Sequence, residues 1–380
     1  MVSVEVRPRL LAWAQERSGL PAAELERKFP ALAEWRAGRK LPTLRQLESF
    51  AQATHTPIGF LFLTEPPDET LPLPDFRTMG GPAVARLTAD LLDTVYLCQQ
   101  RQDWYREFAR TNRLDPIAFV GSLATQSNIR AAATKLRTDL NFEVSRRGSS
   151  WSEALTVLRD QADELGILVM VSGVVGSNTH RKLDPHEFRG FALVDDLAPL
   201  IFINGSDTKA AQIFTLAHEL AHIWAGQSAL DDPDLATRAS NDVESWCNQV
   251  AAEFLVPLDD LREVFSGQVA VSEQLQRIAE RFRVSTLVAV RRVFDAGFLN
   301  WEEYRREYEL EYERVMAFVG TGATGGNFYN TQPVRVSKRF ARAVIADTLE
   351  GQTLYTDAFR LLGFKKQATF TELSHRLAIA

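Results

Sequence analysis

The stretch "FTLAHELAHIWAG", residues 214–226, decides how this chain is read. It holds two of the chain's six histidines, four residues apart, with Glu219 next to the first. On a helix, His218 and His222 share one face, one turn apart, so both imidazoles can reach one metal ion. Glu219 points about 100° away, which suits a carboxylate that takes a proton from water rather than one that binds metal. Ile213, Phe214, Leu216, Leu220, Ile223 and Trp224 surround the pair, so the helix is expected to be central, with Asp207 as its cap and Gly226 as its stop. A buried apolar helix with structural histidines would look similar. The H-E-x-x-H spacing in a histidine-poor chain favours the metal reading, and a dry setting would strengthen the ion's field.

A zinc enzyme needs a third protein ligand. Downstream, "NDVESWCNQVAAEFLVP" (241–257) reads as a second helix over 242–255, stopped by Pro257. Glu244 and Asn248 share a face that Ala251 and Ala252 continue, and small residues there let two helices lie close. Glu244 is the expected third ligand, and Asn248 is the expected hydrogen-bond acceptor that orients a ligand imidazole. Asn241 and Glu244 also fit a capping box, in which the glutamate serves the backbone instead. Glu253 should face away, Cys247 lies off the Glu244 face, and His180 and His186 read as surface residues.

The rest of the chain supplies the setting. Its 380 residues suggest more than one domain, and 45% hydrophobic with 24% charged residues is ordinary for a globular protein. No apolar run approaches the ~18 residues of a membrane span, and the first residues do not read as a signal peptide. Cys98 and Cys247 make no disulfide framework, so a cytoplasmic location is expected. The net charge of −6 is uneven: residues 1–63 carry nine Lys/Arg and six Glu, a surplus of +3, which leaves −9 for the remainder. A mildly basic head hints at contact with DNA.

Residues 8–63 read as short helices, and four prolines between 66 and 74 as a stiff connector. A long helix is expected over 84–113 and further helices near 127–141 and 150–165. Strands are expected within 166–175, 188–196 and 198–204, where Val, Ile and Phe concentrate. Residues 271–317 return to helical pattern, 320–327 is a glycine loop, and 335–380 reads as helix, turn and helix. The expected domains are 1–65, a helical bundle; 66–82, the connector; 83–160, helical; 161–300, the metal-bearing core; and 301–380, helical with the glycine loop. The fold class is α+β and mostly helical.

"GFALVDDLAPLIFINGSDTKAAQIFTLAHELAHIWAG" followed by "ESWCNQVAAEFLVP" resembles the ImmA/IrrE family of bacterial zinc metallopeptidases, over roughly 160–300. The resemblance implies a gluzincin-like core with a small antiparallel sheet, Zn2+ held by His218, His222 and Glu244, and Glu219 as catalytic base. It implies action on a protein regulator, with a repressor or cognate toxin as partner. Where related gluzincins carry an aspartate four after the ligand glutamate, this chain has Asn248. "LAEWRAGRKLPTLRQLESFAQATHTPIGFLF" is similar to the latter half of Xre-type helix-turn-helix domains, although the span from Leu25 to Gly38 is about four residues short of that pattern. Residues 275–299 are also helix-turn-helix-like and are expected to pack behind the active site. "RVSKRFARAVIADTLEGQTLYTDAFRLLGFKK" resembles the C-terminal part of Xre-plus-peptidase proteins found beside PIN-like toxin genes, which implies an antitoxin role. Tyr329, Tyr304 and His375 are candidates to stabilise an oxyanion, Tyr329 foremost. Two readings follow: a zinc metalloendopeptidase, or an antitoxin or transcriptional regulator with structural zinc or vestigial activity. A homo-oligomer is compatible with either.

Overall fold

The structure, a computed structural model, describes residues 3–69, 87–231, 242–266, 268–319 and 328–379; the side chains of 229–231, 316–319 and 328–331 lie outside the description. The described residues fall into two compact units, 3–69 with 87–96, and 97–379.

The first unit contains α1 (Pro8–Ser18), α2 (Ala22–Lys28), α3 (Leu32–Arg36) and α4 (Leu44–Ala53), closed by a 3₁₀ turn at Ile58–Phe62. Pro8 sits in the first turn of α1, where its missing N–H costs nothing, and Gly19 ends the helix in the left-handed region at φ 65°. Thr43 and Gln46 form a full capping box on α4. Leu10, Leu11, Leu47 and Phe50 meet Leu32 and Trp35 of α3 in one apolar core. Arg17 is buried and paired with Glu69 at 2.8 Å and Asp93 at 2.9 Å. Helix α3 is only five residues long, and two of its side chains are spent on the core.

Helix α5 (Ala89–Thr111) runs into the second unit. There the chain forms α6 (Ile129–Asp139), α7 (Trp151–Glu164), β1 (Leu168–Ser172), β2 (Gly190–Leu193), β3 (Leu200–Asn204), α8 (Lys209–Ala225), β4 (Ala229–Asp231) and α9 (Asp242–Leu255). It continues with α10 (Leu258–Val264), α11 (Val271–Phe282), α12 (Thr286–Asp295), α13 (Trp301–Val319), α14 (Phe328–Val336), α15 (Lys338–Leu349), α16 (Tyr355–Leu362) and α17 (Gln367–Arg376). A turn through Arg283, which is left-handed at φ 58°, separates α11 from α12.

The sheet runs β1-β3-β2-β4. It is mixed rather than antiparallel: β1 pairs with β3 in parallel, while β2 pairs antiparallel with β3 and β4. The reason is connectivity. The chain leaves β1 through residues 173–189, forms β2 two places away, and returns through the β2–β3 meander into the gap beside β1. Both faces are covered. Val169, Val171, Ala192, Ile201 and Ile203 join the core that holds α8 and α9, while Met170, Phe191 and Phe202 are buried on the opposite face. Two covered faces explain why these strands read as continuous apolar runs without alternation. Side chains of α6 and α7 share the core with α8 and α9.

The tail makes three helices after Ser337 where one turn between two was expected. Gly351 and Gly363, at φ 78° and 75°, each allow a left-handed stop, so the segment is interrupted twice. The glycine loop 320–327 lies outside the described residues. Among the described residues, no helix is long and apolar enough to cross a membrane, and Cys98 and Cys247 are buried free thiols.

Candidate metal centre

Helix α8 carries the histidines, and both of its ends are fixed. Thr208, not Asp207, is its N-cap: the Thr208 hydroxyl accepts from Ala211 N–H at 3.2 Å, and Asp207 accepts one residue earlier, from Thr208 N–H at 2.7 Å. Two adjacent cap-type residues compete here, and the extended backbone of Thr208 gives it the position. At the other end Gly226 is left-handed at φ 70°. A Cβ on Gly226 would lie 2.9 Å from the Cα of Gly121. That close approach lets the 121–123 segment cap the helix, with Gly121 N–H donating to Ile223 O at 3.0 Å and Leu123 N–H to Trp224 O at 2.9 Å. Phe119 stacks on Trp224 with centroids 4.1 Å apart.

His218, Glu219 and His222 are fully buried and Glu244 is 6% exposed. The imidazoles of His218 and His222 approach through Nε2 at 3.1 Å. Glu244 reaches across from α9, with Oε2 3.3 Å from His218 Nε2 and Oε1 3.3 Å from His222 Nε2. Small side chains on the facing surface, Ala251 and Ala252 among them, let α9 lie against α8. Among the described residues, these three side chains form the cluster able to hold a metal ion.

The donor set fits zinc. Ligands about 2.0–2.1 Å from a tetrahedral ion stand about 3.3–3.4 Å from one another, and two neutral imidazoles with one carboxylate are a usual ligand set. Burial works against ionisation of Glu244, but hydrogen bonding and attraction from the two imidazoles outweigh it and hold the carboxyl below its ordinary range.

Glu219 projects from α8 toward β2. The neighbour that makes room for it is Gly190, the first residue of that strand: a Cβ at 190 would lie 3.1 Å from Glu219 Oε1, 2.9 Å from Phe202 O and 2.6 Å from Thr215 Cγ2. The motif does not reveal this contact. A glycine inside an apolar strand, as in "RGFAL", is the available signal that something approaches closely.

The other expected site residues are placed as follows. Asn248 makes no hydrogen bond to either imidazole, and its Oδ1 is buried without a partner. The Tyr329 side chain lies outside the described residues, as does Asn241. Tyr304 is buried against Phe294, centroids 4.7 Å apart. His375, His180 and His186 are exposed. Cys247 belongs to the apolar core. Glu253 points away from the histidines into a buried ion pair with Arg292.

That pair belongs to a clamp on the end of α9. Pro257 leaves the last carbonyls of the helix without onward helical donors. Arg137 donates to Glu253 O at 2.6 Å, Arg147 to Phe254 O at 3.1 Å and to Leu255 O, and Arg292 to Val256 O at 2.9 Å. All three guanidiniums are buried. They hold the helix that carries Glu244.

Residues 162–294, about a third of the chain, match the model of the peptidase M78 family, described as the IrrE N-terminal-like domain. The match spans all four strands, the two helices that carry the His218–His222–Glu244 cluster and the pair α11–α12. It supports the ImmA/IrrE resemblance for this part of the chain, a family typically metal-dependent. Residues 336–376, covering α15 to α17, match a domain of unknown function. No curated protein matches the chain.

Proposed function

We propose that this chain is a zinc-dependent metalloendopeptidase that acts on a protein regulator. The observation that carries the reading is the buried triangle of His218 Nε2, His222 Nε2 and the Glu244 carboxylate, with donors 3.1–3.3 Å apart and Glu219 on the same helix. Zinc held there would polarise a carbonyl and lower the pKa of its water to about 7. The Glu219 carboxylate, seated against Gly190, accepts the proton of the attacking water and returns it to the leaving amine. The apolar wall of α8 and the sheet excludes bulk solvent and keeps those charges effective. A purely structural site would need no carboxylate beside its first histidine. Two free thiols fit action in a reducing cytoplasm.

The test compares purified wild type with Glu219→Gln for zinc content and for cleavage of the protein encoded beside it. Both should hold one zinc, and the variant should lose about 10²-fold or more of the rate. Equal cleavage by both would remove Glu219 from the reaction.

The second reading, a DNA-binding or toxin-binding regulator, draws on the separate N-terminal unit and its +3 charge surplus. Helix α3, short and partly consumed by the core, leaves few side chains for base edges. We therefore favour a protein partner for this unit, with the chain acting in a toxin–antitoxin or stress-response system. Retained binding of a partner protein without cleavage would decide for that reading.

A further inference from the structure

A cleft of about 800 Å³ opens in the 97–379 unit, and none of His218, Glu219, His222 and Glu244 lines it. Its walls are α5, the loop after β1, and α16 with the segment that follows it. Three of its lining residues, Arg101, Arg360 and Lys365, are cationic and none is acidic, although Arg360 is paired with Asp357 at 3.1 Å on the same helix, so the charge of the cleft rests on Arg101 and Lys365. The informative one is Arg101, 3% exposed. Its Nε donates to Leu361 O at 3.0 Å and its Nη1 approaches Met170 Sδ at 3.6 Å. No carboxylate among the described residues meets it, and Nη2 has no acceptor there.

Capping the end of α16 accounts for Nε alone. A guanidinium taken this far out of water without an anion is costly, and burial pulls its pKa down. By contrast, the buried guanidiniums of the α9 clamp, Arg137, Arg147 and Arg292, spend N–H groups on several carbonyls or on Glu253. Arg101 keeps a donor edge for the cleft. Lys365 stands exposed at the rim with no acid partner among the described residues, while Ser177 and Asn178 bring a hydroxyl and an amide. Phe359 and Phe364 supply an apolar wall. The floor therefore suits a negative group, and the wall suits an apolar or aromatic body.

We propose that this cleft binds a small organic anion, its phosphate or carboxylate on Arg101 and its body against Phe359 and Phe364. This reading is independent of the metal centre and of any activity there.

The test is calorimetric titration of the full chain with AMP, decanoate and inorganic pyrophosphate. AMP or decanoate should bind, and which of them binds separates a phosphate from a carboxylate ligand. Lys365→Glu, a surface change, should weaken that binding about fivefold or more, a shift that an anion bound at the histidines would not show. Arg101→Gln should abolish it; if that variant fails to fold, the Lys365→Glu result stands alone. Binding of pyrophosphate alone, no binding of any probe at millimolar concentration, or binding that Lys365→Glu leaves unchanged would each overturn the proposal.

Discussion

Gly190 and Glu219 lie against each other: a Cβ at 190 would crowd the Glu219 carboxylate, with Oε1 only 3.1 Å away. A methyl group at 190 would meet Thr215 Cγ2 at 2.6 Å and Phe202 O at 2.9 Å before it reached Glu219 Oε1 at 3.1 Å. The backbone oxygen belongs to β3 and cannot swing aside, so β2 must move away from α8 or Thr215 must shift. Gly190→Ala should therefore cost about 1–3 kcal/mol by overpacking and displace the Glu219 carboxylate, while zinc content stays near one per chain. Urea melts, metal analysis and peptide cleavage on one preparation check this. Wild-type stability and rate together would mean the contact is looser than the geometry states.

The α8 site was readable because its signals are local. Motif spacing, the apolar ring around it and the glycine stop all lie within one helix, and Glu244 could be found by asking which carboxylate shares a face with small residues. The mixed sheet was not readable, because the order of β1, β3 and β2 depends on where a 17-residue excursion returns. The arginine clamp was equally hidden: Arg137, Arg147 and Arg292 look like surface charges in sequence, and only long-range folding brings them to the carbonyls before Pro257. Gly190 lay between these cases. Its type announced a close neighbour, and nothing local named Glu219.

The clamp leads to a second prediction. Arg292 and Glu253 form an ion pair 5% and 6% exposed, and Arg292 also caps Val256 O. Arg292→Met leaves a buried carboxylate and a bare helix end, and should cost about 3–5 kcal/mol. Adding Glu253→Gln removes the stranded charge, so the double variant should recover part of that loss. Denaturant midpoints of the four proteins give the coupling directly. Strict additivity would show that the pair does not act as a unit.

Removing the proposed zinc should weaken the fold as well as stop the proposed cleavage. The ligands come from two helices, so an ion that binds the folded chain and not the unfolded one adds stability by mass action, about 2.7 kcal/mol when free zinc is 100-fold above its Kd. A chelator should lower the melting temperature of the wild type and of Glu219→Gln alike. It should leave His222→Ala unmoved, because that variant lacks the site. A chelator-induced shift in His222→Ala of wild-type size would place the stabilising ion elsewhere.

Asp163 should give the stability an opposite, pH-dependent component. It lies at the end of α7 and accepts from Ser337 Oγ at 2.5 Å and from Arg339 N–H at 2.9 Å, at the break between α14 and α15. Burial raises its pKa above the ordinary aspartate value, more than these hydrogen bonds lower it. The folded chain therefore holds this proton to higher pH than the unfolded chain does. Its contribution to stability is complete below the unfolded value of about 3.9 and is lost as pH rises through the folded value. Asp163→Asn carries no titrating group, so its stability should be flatter than that of the wild type from pH 4 upward. The amide still offers one acceptor to Arg339 N–H and a donor to the Ser337 hydroxyl, so the break between α14 and α15 should persist. Stability measured in urea at stepped pH values separates the outcomes: a wild-type minus variant difference that falls as pH rises supports the burial argument, and one that rises would show that the two hydrogen bonds dominate.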